Sequence, residues 1–237
     1  HCFGLFGMLS TFGMTGRTAP LQVYAPKEFE EYFNLSMELF CKGLGYKVTF
    51  HPIETTKTAV IYEDKSLTVE TIPLEHRIPC CGFLFREKPT APHIRRDMID
   101  YYNIPISQIS NIKSGADWIT SDGETIPNSR LTTPADKPRS YAYCSDTRYM
   151  KHLYKKVSGV DVLYHESTYT SEHNDRARTY YHSTSQEAAT VARDAAAGKL
   201  LLGHYSARYP NEDTILSEAK AIFPNSFLTN EGMVFEV

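Results

Sequence analysis

The sequence lacks the features that mark membrane proteins, disulfide scaffolds and strongly basic nucleic-acid-binding proteins. No apolar run in its 237 residues is long enough to span a bilayer, and its start does not have the pattern of a signal peptide. The five cysteines include the neighbours Cys80 and Cys81 but no CxxC pair, which favours free thiols in a reducing cytoplasm. A net charge of −3 excludes a global attraction for nucleic acid, so any such binding has to come from local patches.

Length and composition predict one globular domain over residues 1–237. The hydrophobic share of 41% and the charged share of 22% are ordinary for a chain that buries a large core. Residues 86–136 differ from the rest, because they contain five prolines and begin with a cluster of Arg and Lys residues. We predict that they form an inserted arm that grips a substrate, and a solvated surface extension is the alternative.

The first part of the chain is predicted to alternate between helices and strands. Apolar residues at helical spacing over residues 2–17 favour a buried helix, and residues 26–41 read as a second helix with proline at its start. Short strands are expected at residues 21–24, 47–50 and 59–63.

Four β-type runs each end at a side chain that can bind a metal or transfer a proton. The runs cover residues 67–76, 140–146, 160–166 and 199–204, and they end at His76, Asp146, Glu166 and His204. Strands lying side by side place their exits along one edge, so we expect these four side chains to converge there. Imidazoles and a carboxylate that bridges two cations are the ligands of a dinuclear hydrolytic site. Any one of these residues taken alone is more often an ordinary polar loop residue than a ligand, and it is the set of four that favours a metal site.

His182 stands immediately before a well-marked helix. Ser183 or Thr184 is predicted to cap this helix, Thr184 and Glu187 have the spacing of a capping box, and an alanine-rich stretch continues to Gly198. The positive end of a helix favours a phosphate, and an imidazole beside that phosphate is placed to give up a proton. The alternative is a polar loop residue with no catalytic role.

Six short motifs follow one another along the chain. They are HCFGL at residues 1–5 continuing to TGR at 15–17, LEHRIP at 74–79, CSDT at 144–147, HESTY at 165–169, HST at 182–184 and GHYSARY at 203–209. In their order and spacing these motifs resemble the ribonuclease Z family, the tRNA 3′-end processing endonucleases of the metallo-β-lactamase superfamily. The resemblance covers essentially the whole chain and implies an α+β fold, the four-layer αββα sandwich of that superfamily.

The resemblance has one departure that affects the metal site. The family signature opens with His-x-His-x-Asp-His, and this sequence begins at the position of the final histidine, His1. Two expected zinc ligands, an Asp expected to act as ligand and base, and the N-terminal strands are therefore absent from this chain. Ser167 stands where alanine is commoner in the family, a change that leaves Glu166 in place.

The resemblance implies a role for each of the remaining site residues. His76 would bind a first zinc ion, His1 and His204 a second, and Asp146 would bridge the two, so zinc occupancy in this chain is expected to be partial or absent. Hydroxide would attack the scissile phosphorus, and His182, oriented by Glu166, would protonate the leaving 3′ oxygen. The products would be tRNA with a 3′-hydroxyl and a trailer with a 5′-phosphate.

The resemblance also implies partners. The arm at residues 86–136 would correspond to the exosite that clamps precursor tRNA, with Arg95 and Arg96 as candidate phosphate contacts, and the protein would act as a cytoplasmic homodimer with no membrane partner. His165 is a candidate for orienting a site residue, and Arg208 for contacting phosphate. Four further histidines match no functional motif and are predicted to be solvated or structural: His51, His93, His152 and His173.

Two other functions fit parts of the pattern. A different metallo-β-lactamase-type enzyme, such as a small-molecule phosphodiesterase or a thioester hydrolase, would share Asp146 and the histidine ligands but would not need the pair of His182 and Glu166. A non-catalytic binding protein on the same scaffold would fit a chain that lacks several metal ligands. Cleavage of precursor tRNA separates the three functions.

Overall fold

The computed structural model describes residues 2–237, and a mixed β-sheet is built from strands between residues 60 and 228. Seven of the described strands form that sheet. In chain order they are β3 (Val60–Glu63), β4 (Leu67–Pro73), β5 (Cys81–Glu87), β10 (Ser140–Cys144), β11 (Val162–Glu166), β12 (Lys199–Gly203) and β13 (Ser226–Leu228). Their order across the sheet is β13, β12, β11, β10, β5, β4, β3.

Strand direction decides where the chain leaves this sheet. The four strands from β10 to β13 run parallel, whereas β5 is antiparallel to both β10 and β4. Strand β4 therefore runs in the same direction as β10, and the carboxyl ends of β4, β10, β11 and β12 lie along one edge. The strands predicted from the four runs are confirmed, and they end at or just before the residues named above.

The largest core lies between this sheet and three helices. These helices are α6 (Leu153–Lys156), α8 (Ser185–Asp194) and α9 (Asp213–Ile222). Strand β12 supplies Leu200 and Leu202, which are fully buried, and α8 supplies the small residues Ala188 and Ala192, which let the helix pack closely. The capping box at Thr184 and Glu187 is confirmed by both of its hydrogen bonds.

The predicted end of α8 at Gly198 is wrong by several residues. The helix ends at Asp194, and Ala196 takes the left-handed conformation, with φ of 51°. Gly198 serves a different purpose, because a Cβ atom there would lie 2.6 Å from the carbonyl oxygen of Asp161. The glycine thus allows two backbones to approach at the start of β12.

The first part of the chain forms a second, smaller unit of sheet and helix. Strands β1 (Leu21–Pro26) and β2 (Val48–Ile53) pair in parallel, and α1 (Gly4–Met14) and α2 (Glu30–Phe40) pack with them around Phe6, Leu9 and Phe33. A single 3₁₀ turn, Lys27–Phe29, precedes α2. The helices and strands predicted for this part of the sequence are confirmed, but α1 is not buried as predicted. Only Phe6 and Leu9 on it are buried, and Met8 and Met14 are exposed.

The arm emerges from a β-hairpin of the main sheet. Arg86 on β5 pairs with Ser140 on β10, so the residues between these strands extend from the hairpin's tip. The extension contains β6 (His93–Ile94), α3 (Arg96–Tyr101), a 3₁₀ turn (Ile106–Gln108), α4 (Ile109–Lys113), β7 (Trp118–Ile119), β8 (Thr125–Ile126), α5 (Asn128–Leu131) and β9 (Thr132–Thr133). It has its own small core, formed by Ile99, Ile104, Ile112, Ile126 and Leu131.

No helix within residues 2–237 combines the length and the apolar character needed to cross a membrane.

One further helix, α7 (Asn174–Tyr180), follows a 3₁₀ turn at Ser171–His173 and ends two residues before His182.

Candidate active site

The sheet edge brings together side chains that are far apart in the sequence. Potential ligand atoms of Asp146, Glu166, His182 and His204 all lie within 4.8 Å of one another. The ring of His76 lies beside them, with its centroid 5.1 Å from that of His182. The structure therefore gathers five of the residues singled out in the sequence, whereas His1 lies outside the described residues.

Two of these residues leave their strands through an unusual backbone conformation. Asp146 and His204 both have φ of 58°, in the left-handed region that residues other than glycine seldom adopt. Gly203 precedes His204, and a side chain at that glycine would overlap Tyr164. Backbone strain of this kind occurs at functional sites, where the surrounding structure holds a side chain in place.

Asp146 and His204 approach each other as two ligands of one cation would. Oδ1 of Asp146 lies 2.9 Å from Nε2 of His204, yet this buried oxygen makes no bond with hydrogen-bond geometry to any described residue. The neighbouring imidazole lowers the pKa of Asp146, and the carboxylate raises the pKa of His204. An orphaned carboxylate oxygen beside an imidazole nitrogen fits a metal ion bound between them.

Hydrogen bonds to the other ring nitrogens fix which nitrogen of each histidine is free. The Thr168 hydroxyl donates to Oε2 of Glu166 over 2.6 Å, so it accepts from Nδ1 of His204, 2.9 Å away. Nδ1 of His76 donates to the carbonyl oxygen of Tyr181 over 3.0 Å. In both rings Nε2 is left with its lone pair, which is the form that binds a metal.

Glu166 belongs to the cluster but is not available as a ligand. Its side chain is completely buried, and its two oxygens accept four donors. The donors are the backbone N–H of Thr147 at 2.6 Å, the backbone N–H of Ser183 at 3.0 Å, the Thr168 hydroxyl at 2.6 Å and Nδ1 of His182 at 2.9 Å. A carboxylate with its lone pairs used in this way orients its neighbours and does not coordinate an ion.

His182 is thereby held with one nitrogen toward Glu166 and the other available for chemistry. Its side chain is 16% exposed, and its ring lies between those of His76 and His204, with centroids 5.1 and 5.2 Å away. Because Nδ1 donates to Glu166, Nε2 is the atom that can give or accept a proton beside His76 and His204.

The remaining predicted residues lie outside this cluster. His165 is fully buried and donates from Nδ1 to the carbonyl oxygen of Glu166, and burial lowers its pKa. Arg208 lies over the ring of Tyr169, 5.6 Å from its centroid, and no carboxylate in residues 2–237 is within 4.0 Å of its guanidinium.

Three of the other histidines make local contacts away from this cluster. His51 stacks on Tyr24, His93 pairs with Asp136, and His173 contacts Tyr209. His152 directly precedes α6. These contacts are consistent with the structural or solvated roles predicted for them.

Sequence reasoning missed the residues that complete the hydrogen bonding. Thr147 and Thr168 occur inside quoted motifs, but nothing in a lone sequence shows which atoms their hydroxyls or amides reach. Of the two residues predicted as candidates for the helix cap, Thr184 caps α8. Ser183 instead donates its backbone N–H to Glu166.

The fold and the cluster define a class of protein. The sequence matches no family model. Among solved structures, a metallo-β-lactamase fold protein from Bacillus subtilis superposes with a TM-score of 0.63 at 16% identity, covering 100% of this chain and 73% of that one. The short form of human tRNase Z gives a TM-score of 0.63 at 20% identity, with 100% and 74% covered. The chain has the metallo-β-lactamase fold, as predicted, with a His and Asp cluster that indicates a metal site.

Curated relatives narrow this class to one family. The ribonuclease Z of Bacteroides fragilis is 51% identical over 233 residues, which are 98% of this chain and 77% of the relative. The ribonuclease Z of Phocaeicola vulgatus is 49% identical over 237 residues, 100% of this chain and 77% of the relative. The chain belongs to the ribonuclease Z family, and the resemblance found in the sequence is confirmed.

Proposed function

We propose that this protein is a zinc-dependent endoribonuclease that removes the 3′ trailer from precursor tRNA, leaving a 3′-hydroxyl on the tRNA and a 5′-phosphate on the trailer. The observation that carries the proposal is the hydrogen-bonded pair of His182 and Glu166 directly beside the metal-type cluster. A metal site alone would suit many hydrolases of this fold. A positioned proton donor suits a reaction whose leaving group is a poorly acidic ribose oxygen.

Zinc is the metal that the donor set favours. His76, Asp146 and His204 would hold it through imidazole nitrogens and a carboxylate oxygen, with His1 as a further ligand. Bound zinc supplies Lewis-acid chemistry, which lowers the cost of charge on the phosphoryl oxygens and favours ionisation of water.

The protein's own residues would direct the proton. Glu166 holds the Nδ1–H of His182 and stabilises its imidazolium form, whose Nε2–H would protonate the departing 3′ oxygen of the tRNA and leave the neutral imidazole. The buried Thr147 amide, Ser183 amide and Thr168 hydroxyl keep the Glu166 carboxylate from turning toward the metal ligands. This separates the residue that moves the proton from the residues that bind the ions.

The arm is the part of the chain that we assign to gripping tRNA. Its charge is balanced, since residues 86–136 hold six Lys or Arg against seven Asp or Glu. Arg95 pairs with Asp97 at 2.8 Å, and Arg96 lies 3.9 Å from Asp100. Binding would therefore depend on the positions of individual cations, which exchange an internal carboxylate for an RNA phosphate, and not on an overall positive arm.

A cytoplasmic location and a homodimer complete the proposal. The location agrees with tRNA as the substrate and with five thiols that form no disulfide within residues 2–237, and the homodimer is proposed from the family resemblance. In a dimer, the arm of one subunit would present the substrate to the site of the other.

Cleavage of a precursor tRNA by the zinc-loaded whole protein tests the function. We expect one cut after the tRNA body, with end-group analysis giving a 3′-hydroxyl and a 5′-phosphate, and loss of the cut in Asp146→Ala. Rapid hydrolysis of a small phosphodiester or a thioester with no cleavage of the precursor would instead assign the site to another enzyme of this fold.

A further inference from the structure

Three side chains form a layer immediately outside the site. They are Glu75, Arg148 and Tyr181, which lie within two residues in sequence of His76, Asp146 and His182 respectively. None of the three is a proposed metal ligand or proton donor. They come from three separate loops, so contacts among them fix the loops relative to one another.

Arg148 contacts both of the other members. Its Nε and Nη2 atoms each lie 2.5 Å from Oε2 of Glu75, and its backbone N–H donates to the carbonyl oxygen of Glu75 over 2.9 Å. The face of its guanidinium covers the ring of Tyr181, with Cζ 5.3 Å from the ring centroid. Arg148 and Glu75 are 47% and 46% exposed, and an ion pair that open contributes little to folding stability. The role of this ion pair is therefore to hold the loops of Glu75 and Arg148 in position, not to stabilise the fold.

Tyr181 connects this layer to the two site histidines. Its carbonyl oxygen accepts the hydrogen bond from Nδ1 of His76, and the next residue in the chain is His182. Its backbone is left-handed, with φ of 61°, which is unfavourable for a bulky aromatic residue and persists only when neighbours hold it. The guanidinium of Arg148 lies where it restrains the ring.

We propose that Arg148 is a positioning residue which, through Glu75 and Tyr181, keeps the metal ligand His76 and the proton donor His182 in register. The proposal rests on the function proposed above. The planar guanidinium suits this task because it can bind a carboxylate along its edge and cover an aromatic ring with its face at the same time. A lysine can do only the first.

The test uses the zinc-loaded whole protein with four variants and one control. The variants are Arg148→Ala, Arg148→Lys, Tyr181→Ala and Tyr181→Phe. The control is Arg139→Ala, which removes an arginine from a carboxylate pair with Glu87 at the opposite end of β10. Zinc affinity is measured by competition with a chelator, and kcat and KM are measured separately on precursor tRNA.

Arg148→Ala and Tyr181→Ala should each bind zinc roughly 10- to 100-fold less tightly, the usual effect of losing a group that orients a ligand. Both should lower kcat more than they raise KM. Arg148→Lys should fall between Arg148→Ala and the wild type, and Tyr181→Phe should match the wild type because the ring and the carbonyl remain. The double variant Arg148→Ala with Tyr181→Ala should be no worse than either single change, since both break one linkage.

Three results would overturn the proposal. In the first, Arg148→Ala has the same zinc affinity and kcat as Arg139→Ala. In the second, the losses of zinc affinity in the two single variants add up in the double variant. In the third, Tyr181→Phe loses as much zinc affinity and kcat as Tyr181→Ala.

If Arg148→Ala does not fold, Arg148→Lys and the two Tyr181 variants decide the question. A wild-type protein that binds zinc but does not cleave precursor tRNA would refute the proposed function, while the zinc affinities would still test the linkage.

Discussion

At the scale of single residues, closeness to a metal site does not determine a residue's role. Glu166 lies in the same cluster as Asp146 and His204, but its two carboxylate oxygens already accept hydrogen bonds from four donors. Among residues 2–237, Oδ1 of Asp146 is buried without such a partner. The satisfied carboxylate is therefore assigned to orientation and the unsatisfied one to metal binding.

The separation of these roles predicts how His182→Ala behaves. It should keep its metal, because no ligand is removed, and it should cleave precursor tRNA roughly 10²- to 10⁴-fold more slowly, the usual worth of a positioned general acid. The loss should shrink on a substrate with a nitrophenolate leaving group, which departs without a proton. Metal analysis and rates on both substrates check this.

Two companion variants serve as controls for that experiment. Glu166→Gln should show the same dependence on the leaving group in milder form, whereas Asp146→Ala should lose metal and slow both substrates alike. Loss of metal in His182→Ala, or an equal effect on both leaving groups, would show that His182 is a ligand or a phosphate-binding residue.

Thr168 gives a second prediction at this scale. Thr168→Val removes the hydroxyl that accepts from His204 and donates to Glu166 while keeping the side chain's shape. We expect metal affinity to fall roughly 10- to 100-fold, because the tautomer and orientation of His204 are no longer fixed. Thr168→Ser, which keeps the hydroxyl, should retain most of the affinity in the same chelator competition. Equal affinities in the wild type and Thr168→Val would contradict the assignment.

At the scale of elements, helix α8 both completes the core and supplies part of the site. Its N-terminal cap is Thr184, and the residue before the cap donates its amide to Glu166. The position of the carboxylate thus depends on how the helix begins. A capped helix packed on the sheet is a rigid support for such a contact.

Removing the cap tests this dependence. Thr184→Ala should cost about 1 kcal/mol of unfolding free energy, the typical value of an N-cap, which corresponds to a fall of about 2–4 °C in Tm for a chain of this size. Thr190→Ala on the same helix is a matched control, because its hydroxyl only bonds back to the carbonyl of Gln186 on an exposed turn. Thermal unfolding of both proteins measures the difference, and equal Tm values would show that the cap contributes nothing.

At the scale of the whole molecule, the arm and the site lie on different parts of the fold. The arm extends from the tip of the hairpin of β5 and β10, whereas Asp146 leaves β10 at the opposite end. Its core contains none of the residues that pack between the main sheet and its helices. Substrate gripping and chemistry are therefore separable in principle.

Excising the arm tests that separation. Replacing residues 89–137 with a short Gly- and Ser-containing turn should leave the main sheet intact, because β5 and β10 are already antiparallel neighbours. We expect hydrolysis of a small phosphodiester to persist and binding of precursor tRNA to weaken. The milder variant Arg95→Ala with Arg96→Ala should reduce the salt dependence of binding by up to about two counterions. Equal loss on both substrates would place the arm's contribution in the site itself.

The features that could be predicted from the sequence are those that depend on neighbours along the chain. The strands ending near His76, Asp146, Glu166 and His204 follow from short apolar runs, and the start of α8 follows from a capping box. Both are local patterns whose physical cause lies within a few residues. The family motifs extended this to the fold and to the types of residue at the site.

The roles of those residues depend instead on contacts that form only in the folded chain. The donors that saturate Glu166 come from residues 147, 168, 182 and 183, and the arginine that restrains Tyr181 is Arg148, more than thirty positions away. Whether a lone pair or a charge is already satisfied depends on which distant groups the folded chain brings within a few ångströms, and one-dimensional spacing does not carry that information.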